Sequence, residues 1–244
     1  MRVRFVGSGD AFGSGGRWQT CIHLSGDGQV LLVDCGATSL TALRAQGLDP
    51  GAIGAVAVTH LHGDHFGGLP FLILDGQFRH RTAPLLVAGP PGIGDRLVRA
   101  METLFPGSSQ AARRFAVQVT ELATDGTPAV LGAATVRGWE VNHPSGAPPL
   151  ALRIDLAGAS FAYSGDTEWT AALTRAAAGA DLFAVEAYTY DRPIRYHLDY
   201  QTLHAHLPEI SAQRVILTHM SVAMLARLAD AELPAAYDGM VVEL

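Results

Sequence analysis

The stretch "HLHGDH" at residues 60–65 places three histidines and an aspartate within six positions, directly after the small apolar run "GAVAVT". Imidazole nitrogen and carboxylate oxygen are the ligands of catalytic zinc, whose sites keep one position open for water. The alternative is a solvated polar turn, but unpaired imidazoles beside a buried strand would be costly to desolvate. The stretch therefore predicts a metal site that contains His60, His62, Asp64 and His65.

Further ionisable residues stand where other predicted strands end: His143 after "WEVN", Asp166 after "AYSG", Glu186 after "LFAV" and His219 after "VILT". Loops at one edge of a layered α/β sheet build the active site, so we expect these residues to converge. With His143, Asp166 and His219 the candidate ligands number seven, which suffice for two ions about 3.5–4 Å apart that share a carboxylate and a bridging hydroxide. A single histidine after a strand is more often an ordinary loop residue, so this prediction depends on the whole set.

The elements that must position these residues alternate between short apolar or β-branched runs and amphipathic segments, which predicts sheets covered by helices on their outer faces. The predicted strands are 2–7, 29–36, 53–60, 83–89, 134–143, 150–156, 160–166, 181–187 and 214–219. The predicted helices are 38–47, 91–105, 167–179, 199–210 and 221–229. No break in the pattern divides the chain, so residues 1–244 are expected to form one domain.

Composition narrows the function further. The 244 residues carry 17 Lys and Arg against 23 Asp and Glu, and a net charge of −6 argues against a surface that follows a nucleic-acid backbone. Cys21 and Cys35 are not spaced as a metal pair and lie in strand-like stretches, which predicts buried free thiols. The absence of a signal peptide pattern and of a long apolar run predicts a cytoplasmic protein without membrane association.

Taken together, these motifs resemble the metallo-β-lactamase-fold hydrolases, and within them the branch of ribonuclease Z and related phosphodiesterases. The resemblance rests on "HLHGDH", on the single ligands His143, Asp166 and His219 in the family's order, and on "FVGSGDAFGSGGR", "LLVDCG" and "HFGGLPFLI". It spans about residues 3 to 221. It implies an α/β fold of the αββα type, a four-layer sandwich with a metal pair at one sheet edge.

The resemblance also implies a distribution of ligands over two Zn²⁺ ions, with Mn²⁺ or Fe²⁺ as alternatives. One ion would take His60, His62 and His143; the other would take Asp64, His65 and His219; and Asp166 would bridge them. Gly63 would permit the tight turn that lets neighbouring side chains serve both ions. A homodimer is compatible with the same resemblance.

The catalytic residues are expected to be Asp64, Glu186 and His197. "DLFAVEAYTY" resembles the family segment whose glutamate pairs with a downstream histidine, and His197 in "RYHLDYQTL" is the candidate for that histidine. The bridging hydroxide would attack phosphorus, and His197, held protonated by Glu186, would protonate the leaving oxygen. The alternative is that Glu186 is an ordinary strand end and His197 an ordinary loop residue.

Substrate class stays open among three hypotheses. The first is a small phosphodiester, because the chain has no long basic arm of the kind that ribonuclease Z uses for transfer RNA, and its acidity also argues against that RNA. The second is a carboxyl ester, lactone, thioester or lactam, since the same hydroxide can attack a carbonyl. The third is a non-catalytic metal-binding protein, against which the full ligand set argues.

Overall fold

Two β-sheets pack face to face in the computed structural model, which describes residues 1–244. The first sheet has seven strands in the order β13-β1-β2-β3-β4-β5-β6, and the second has six in the order β12-β11-β10-β9-β8-β7. The strands are β1 (Arg2–Gly7), β2 (Cys21–Gly26), β3 (Gln29–Val33), β4 (Ala55–Ala57), β5 (Leu85–Gly89), β6 (Val117–Glu121), β7 (Ala129–Leu131), β8 (Ala134–Glu140), β9 (Leu150–Leu156), β10 (Ala159–Tyr163), β11 (Leu182–Glu186), β12 (Val215–Thr218) and β13 (Val241–Glu243).

The chain forms seven α-helices, and six of them cover the outer faces of the two sheets. The seven helices are α1 (Ser39–Ala45), α2 (Gly63–Phe66), α3 (Leu69–Phe78), α4 (Ile93–Leu104), α5 (Ala171–Ala177), α6 (Tyr200–His206) and α7 (Val222–Leu225). No helix has the length and apolarity that crossing a membrane requires.

Three apolar cores define four layers. A core of 24 buried residues, which includes Phe5 and Tyr163, lies between the sheets. A second core joins the first sheet to α1, α3 and α4, and a third joins the second sheet to α5, α6 and α7. Since each large apolar side chain that is fully buried contributes about 1.5–3 kcal/mol, these cores hold the layers together. The predicted αββα sandwich is confirmed.

The edge of the fold that carries the candidate ligands is formed where several strands end. β3, β4, β5 and β6 run parallel, as do β10, β11 and β12, so their carboxyl ends lie on a common side within each sheet. Several predicted strands extended too far in this direction, since β4 ends at Ala57, β8 at Glu140 and β10 at Tyr163. Of the ligand candidates that follow these strands, His60, His62, His143 and Asp166 lie on loops, and Asp64 and His65 lie in α2.

Other boundaries also differ from the predictions. The predicted helix 167–179 begins only at Ala171, where the Thr170 side chain accepts a hydrogen bond from Ala172 N. Three edge elements, β6, β7 and β13, were not predicted, because short strands at or near a sheet edge expose many side chains and lack a continuous apolar run. Cys21 and Cys35 are buried free thiols as predicted, although Cys35 lies just beyond β3.

Candidate metal centre

The "HLHGDH" stretch folds as a loop that leads into α2, with His62 preceding the helix and Asp64 and His65 inside it. Main-chain bonds from Cys35 N to His65 O (2.6 Å) and from Ala37 N to Gly63 O (3.1 Å) fasten this turn to the segment after β3.

This contact requires glycine at position 36, in the segment after β3. A Cβ at Gly36 would lie 2.2 Å from Asp64 O, whereas a Cβ at Gly63 would meet nothing within 4 Å. Gly63 also has no positive φ. The prediction that the turn depends on Gly63 was therefore wrong, and the close approach falls on Gly36.

Three imidazoles form what we call the three-histidine cluster: His60, His62 and His143, whose ligand atoms lie within 4.8 Å of one another. His62 Nδ1 lies 3.0 Å from His143 Nε2. The second nitrogen of two members is bound elsewhere, since His60 Nδ1 lies 3.0 Å from Thr59 Oγ1 and His143 Nδ1 lies 2.9 Å from the Tyr196 carbonyl oxygen. These contacts leave Nε2 of both rings directed to the common centre.

Four buried residues form what we call the acidic cluster: Asp64, His65, Asp166 and His219. His65 Nε2 lies 3.2 Å from both Asp64 Oδ2 and Asp166 Oδ1, and 3.3 Å from His219 Nε2. Its Nδ1 lies 2.6 Å from Asp34 Oδ2, which fixes the ring. Asp166 Oδ2 also lies 3.8 Å from Nε2 of both His60 and His143, so this carboxylate stands between the two clusters.

The electrostatics of the two clusters are opposite. Burial and the neighbouring imidazoles lower the pKa of His60 well below its usual value, and burial lowers the pKa of His62. Burial alone would also lower the pKa of His65 and His219, but Asp166 and the other carboxylates outweigh it. They raise the pKa of His65 well above its usual value and that of His219 to about 10.

The donor atoms fit a pair of metal ions. His60 Nε2 is buried without a hydrogen-bond partner, which is expensive unless a cation occupies the space that it faces. Imidazole nitrogens facing each other at 3.0 Å and 3.3 Å are also expected where two rings bind a common ion. All seven sequence-predicted ligands are thus brought together in two adjoining groups.

The two residues predicted to form an acid pair, Glu186 and His197, are in contact. His197 Nδ1 lies 3.0 Å from Glu186 Oε2, and Glu186 further accepts main-chain bonds from Leu198 N (3.3 Å) and from Thr167 N. Burial lowers the pKa of His197, but the hydrogen bond and charge of Glu186 more than compensate, so that the pKa is raised. The His197 side chain is 21% exposed and its ring stacks on Tyr188, with centroids 4.6 Å apart.

Two supporting groups were not predicted. Asp34 holds His65 and also accepts from Thr59 N (2.7 Å) and Thr59 Oγ1 (2.8 Å). "LLVDCG" ends a strand on an aspartate, so the rule used for the other strand ends would have found it. The Tyr196 carbonyl could not be identified from the sequence, because every residue has a main-chain carbonyl.

A cavity of about 580 Å³ opens beside this centre. Its walls include Asp10, Phe12, Tyr188, Val222 and Arg227, and Phe12 and Val222 are 84% and 65% exposed. Because Tyr188 also contacts His197, the cavity adjoins the candidate acid.

Comparison with known proteins decides the family. A family model described as "Anti-Pycsar protein Apyc1" matches residues 1–232. The chain belongs to the Apyc1 family. The Apyc1-family chain is also similar to ribonuclease Z of Mycobacterium avium (strain 104), at 30% identity over 190 residues that cover 74% of this chain and 68% of that protein.

Two further relatives agree with the predicted branch. "Zinc phosphodiesterase ELAC protein 1" of Mus musculus is 37% identical over 106 residues, which cover 42% of this chain and 29% of that protein. The solved structure of human tRNase Z, short form, has a TM-score of 0.81 at 26% identity and covers 100% of this chain and 99% of that chain. The Apyc1-family chain therefore has the metallo-β-lactamase fold of the ribonuclease Z-like branch, as predicted.

These relatives support the predicted enzyme class, a metal-dependent hydrolase. The Apyc1-family chain nevertheless spans only about a third of the length of four other ribonuclease Z relatives.

Proposed function

We propose that this protein is a dinuclear metal-dependent phosphodiesterase that acts on a small substrate. The observation that carries the proposal is the position of His197. Its ring is bound to Glu186, lies 5.0 Å from the His143 ring and 6.0 Å from the His219 ring, and so stands against both clusters while remaining partly open to solvent.

The two clusters would hold one Zn²⁺ each, with Asp166 between them. Zinc is supported by the donor set and by the name of the murine zinc phosphodiesterase relative. When bound, such a pair supplies a hydroxide nucleophile and Lewis-acid stabilisation of phosphoryl oxygens.

His197 would act as the general acid. Glu186 accepts from Nδ1 and raises the pKa of the ring, so Nε2 keeps a proton to donate to the leaving oxygen. Tyr188 limits the motion of His197 by stacking on one face. Asp64 would contribute as a ligand whose charge is held by His65 and His219, at 3.2 Å and 3.3 Å.

A small phosphodiester is favoured over transfer RNA. The net charge is −6, and affinity for a nucleic-acid backbone depends on clustered cations. A cavity of about 580 Å³ falls in the size range of small-molecule sites.

Turnover of bis(p-nitrophenyl) phosphate by zinc- or manganese-loaded protein tests the proposal. We expect hydrolysis that is lost on chelation and in the Asp64→Ala variant, because that variant removes a charged ligand of the acidic cluster. p-Nitrophenyl acetate and a lactone panel are assayed in parallel. Cleavage of those esters without phosphodiester turnover would replace this proposal with carboxyl-ester chemistry.

We further propose that the protein shares the action against Pycsar after which its family is named. The match over residues 1–232 supports this, since it includes every candidate ligand. Production of the protein together with a Pycsar system should suppress Pycsar activity, whereas the Asp64→Ala variant should not. Equal suppression by both would separate this role from hydrolysis.

A further inference from the structure

We propose that Glu168 is a positioning residue that fixes the turn at residues 194–197, and through it both a metal-binding imidazole and the acid. The turn is closed by a bond from His197 N to Ile194 O (3.0 Å). It contributes to the site twice, because the Tyr196 carbonyl accepts from His143 Nδ1 (2.9 Å) and the next residue is the candidate acid His197.

Glu168 holds this turn with one carboxylate oxygen. Its Oε1 accepts from Tyr196 N at 2.8 Å. Tyr196 has φ +71°, a left-handed conformation that residues other than glycine rarely adopt and that must be imposed by surrounding contacts. The bond to Glu168 fixes the peptide on the amino side of Tyr196, and Arg195 covers the Tyr196 ring at 4.6 Å.

The second oxygen ties Glu168 to the strand end that carries His143. Oε2 accepts from Asn142 Nδ2 at 2.6 Å, and Glu168 N donates to Asn142 O at 3.3 Å. Asn142 immediately precedes His143. Glu168 therefore joins the two sides of the hydrogen bond from His143 to Tyr196, and it is only two residues beyond Asp166.

Partners of this kind orient metal-binding histidines, and their loss typically reduces metal affinity about 10- to 100-fold. Because Glu168 is only half-buried, we expect about a tenfold loss. The loss should be confined to the ion held by the three-histidine cluster, since His65 is supported separately by Asp34.

Zn²⁺ titration against a chromophoric chelator tests this without any turnover. Glu168→Gln has one acceptor oxygen instead of two, so one of the N–H donors must face its amide nitrogen. We expect a weaker affinity for the ion that His143→Ala also loses, and an unchanged affinity for the other. Glu140→Gln is the matched control, since the Glu140 side chain makes no hydrogen bond, and thermal unfolding checks that each variant folds.

Rescue provides the decisive arm. In the double variant Glu168→Gln with Asn142→Asp, the glutamine amide can donate to the new carboxylate while its oxygen accepts from Tyr196 N, with the net charge unchanged. Recovery of the zinc affinity supports the proposal. Wild-type affinity in Glu168→Gln and Glu168→Ala, equal weakening of both ions, or a double variant as weak as the single one would overturn it.

The effect on the acid rests on the proposed function. If the wild type hydrolyses phosphodiesters, Glu168→Gln should lose more rate with poor leaving groups than with good ones. If it hydrolyses none, the proposed function fails, while the zinc titration still decides the role of Glu168.

Discussion

The two halves of the candidate metal centre differ in the groups that support their imidazoles. In the acidic cluster, His65 and His219 are buried against carboxylates, with Asp34 2.6 Å from His65 Nδ1 and Glu186 Oε2 3.6 Å from His219 Nδ1. In the three-histidine cluster the supports are neutral, a threonine hydroxyl for His60 and a main-chain carbonyl for His143. The imidazoles of the acidic cluster are thus oriented by charged groups, and those of the three-histidine cluster by the positions of their loops.

This difference predicts different sensitivities. Carboxylates attract both protons and metal ions, so the acidic cluster should bind zinc tightly, but protons should compete with the zinc. Imidazoles with lowered pKa are already neutral and ready to bind, so the three-histidine cluster should depend on the positions of its loops instead.

Asp166→Asn should weaken zinc binding by both clusters. Asp166 lies near members of both clusters, at 3.2 Å from His65 and 3.8 Å from His60 and His143. We expect the zinc affinity of each cluster to fall by more than about 100-fold, which is the largest loss that removal of an outer partner typically causes. Zinc content per chain measures this, and a variant that loses only one ion would show that Asp166 serves a single cluster.

His197→Ala should separate catalysis from metal binding. His197 is bound to Glu186 and belongs to neither cluster, so zinc content should stay unchanged. Loss of a general acid costs about 10²- to 10⁴-fold in rate, and the loss should be largest for substrates with poor leaving groups. Rates for a series of substituted phenyl phosphodiesters measure this dependence. A loss that is independent of the leaving group would contradict the acid role.

Asp34→Asn should weaken one half selectively. An amide cannot accept from His65 Nδ1, Thr59 Oγ1 and Thr59 N together, so we expect about a 10- to 100-fold loss of zinc affinity in the acidic cluster. The unsatisfied buried donor should also lower the free energy of unfolding by about 1–3 kcal/mol.

Asp181→Asn provides a control for that variant that is matched in hydrogen bonds, at a half-buried rather than a buried position. Asp181 accepts from Ser160 N (2.7 Å) and Ser160 Oγ (3.1 Å), as Asp34 does from Thr59, but it contacts no candidate ligand. Lower stability with wild-type zinc binding is expected. If Asp34→Asn behaves in the same way, its bond to His65 has no role in metal affinity.

The same contrast explains how far the sequence predicts the site. The candidate ligands could be recognised because each is a side chain of distinctive type in the segment that follows an apolar strand, and Asp34 follows the same rule. The Tyr196 carbonyl could not, because its role depends on a left-handed φ at Tyr196 and on a bond to Glu168, which lies 28 residues earlier in the chain. The layers follow from apolar periodicity, whereas the short strands β6, β7 and β13 depend on neighbours that local sequence does not specify.

The smallest expected difference between the two clusters is in the pH dependence of their zinc affinity. The raised pKa of His65, and of His219 to about 10, means that protons occupy the metal-free acidic cluster at neutral pH. Zinc must displace them, so its affinity there should rise about tenfold per pH unit for each proton released, and continue to rise from pH 7 to 9. Since the pKa of His60 and His62 is lowered, affinity at the three-histidine cluster should fall only at pH values below the usual histidine range. Calorimetric titration in buffers of different ionisation enthalpy counts the protons released with each ion. Equal release at both steps would contradict the predicted difference in protonation between the two metal-free clusters.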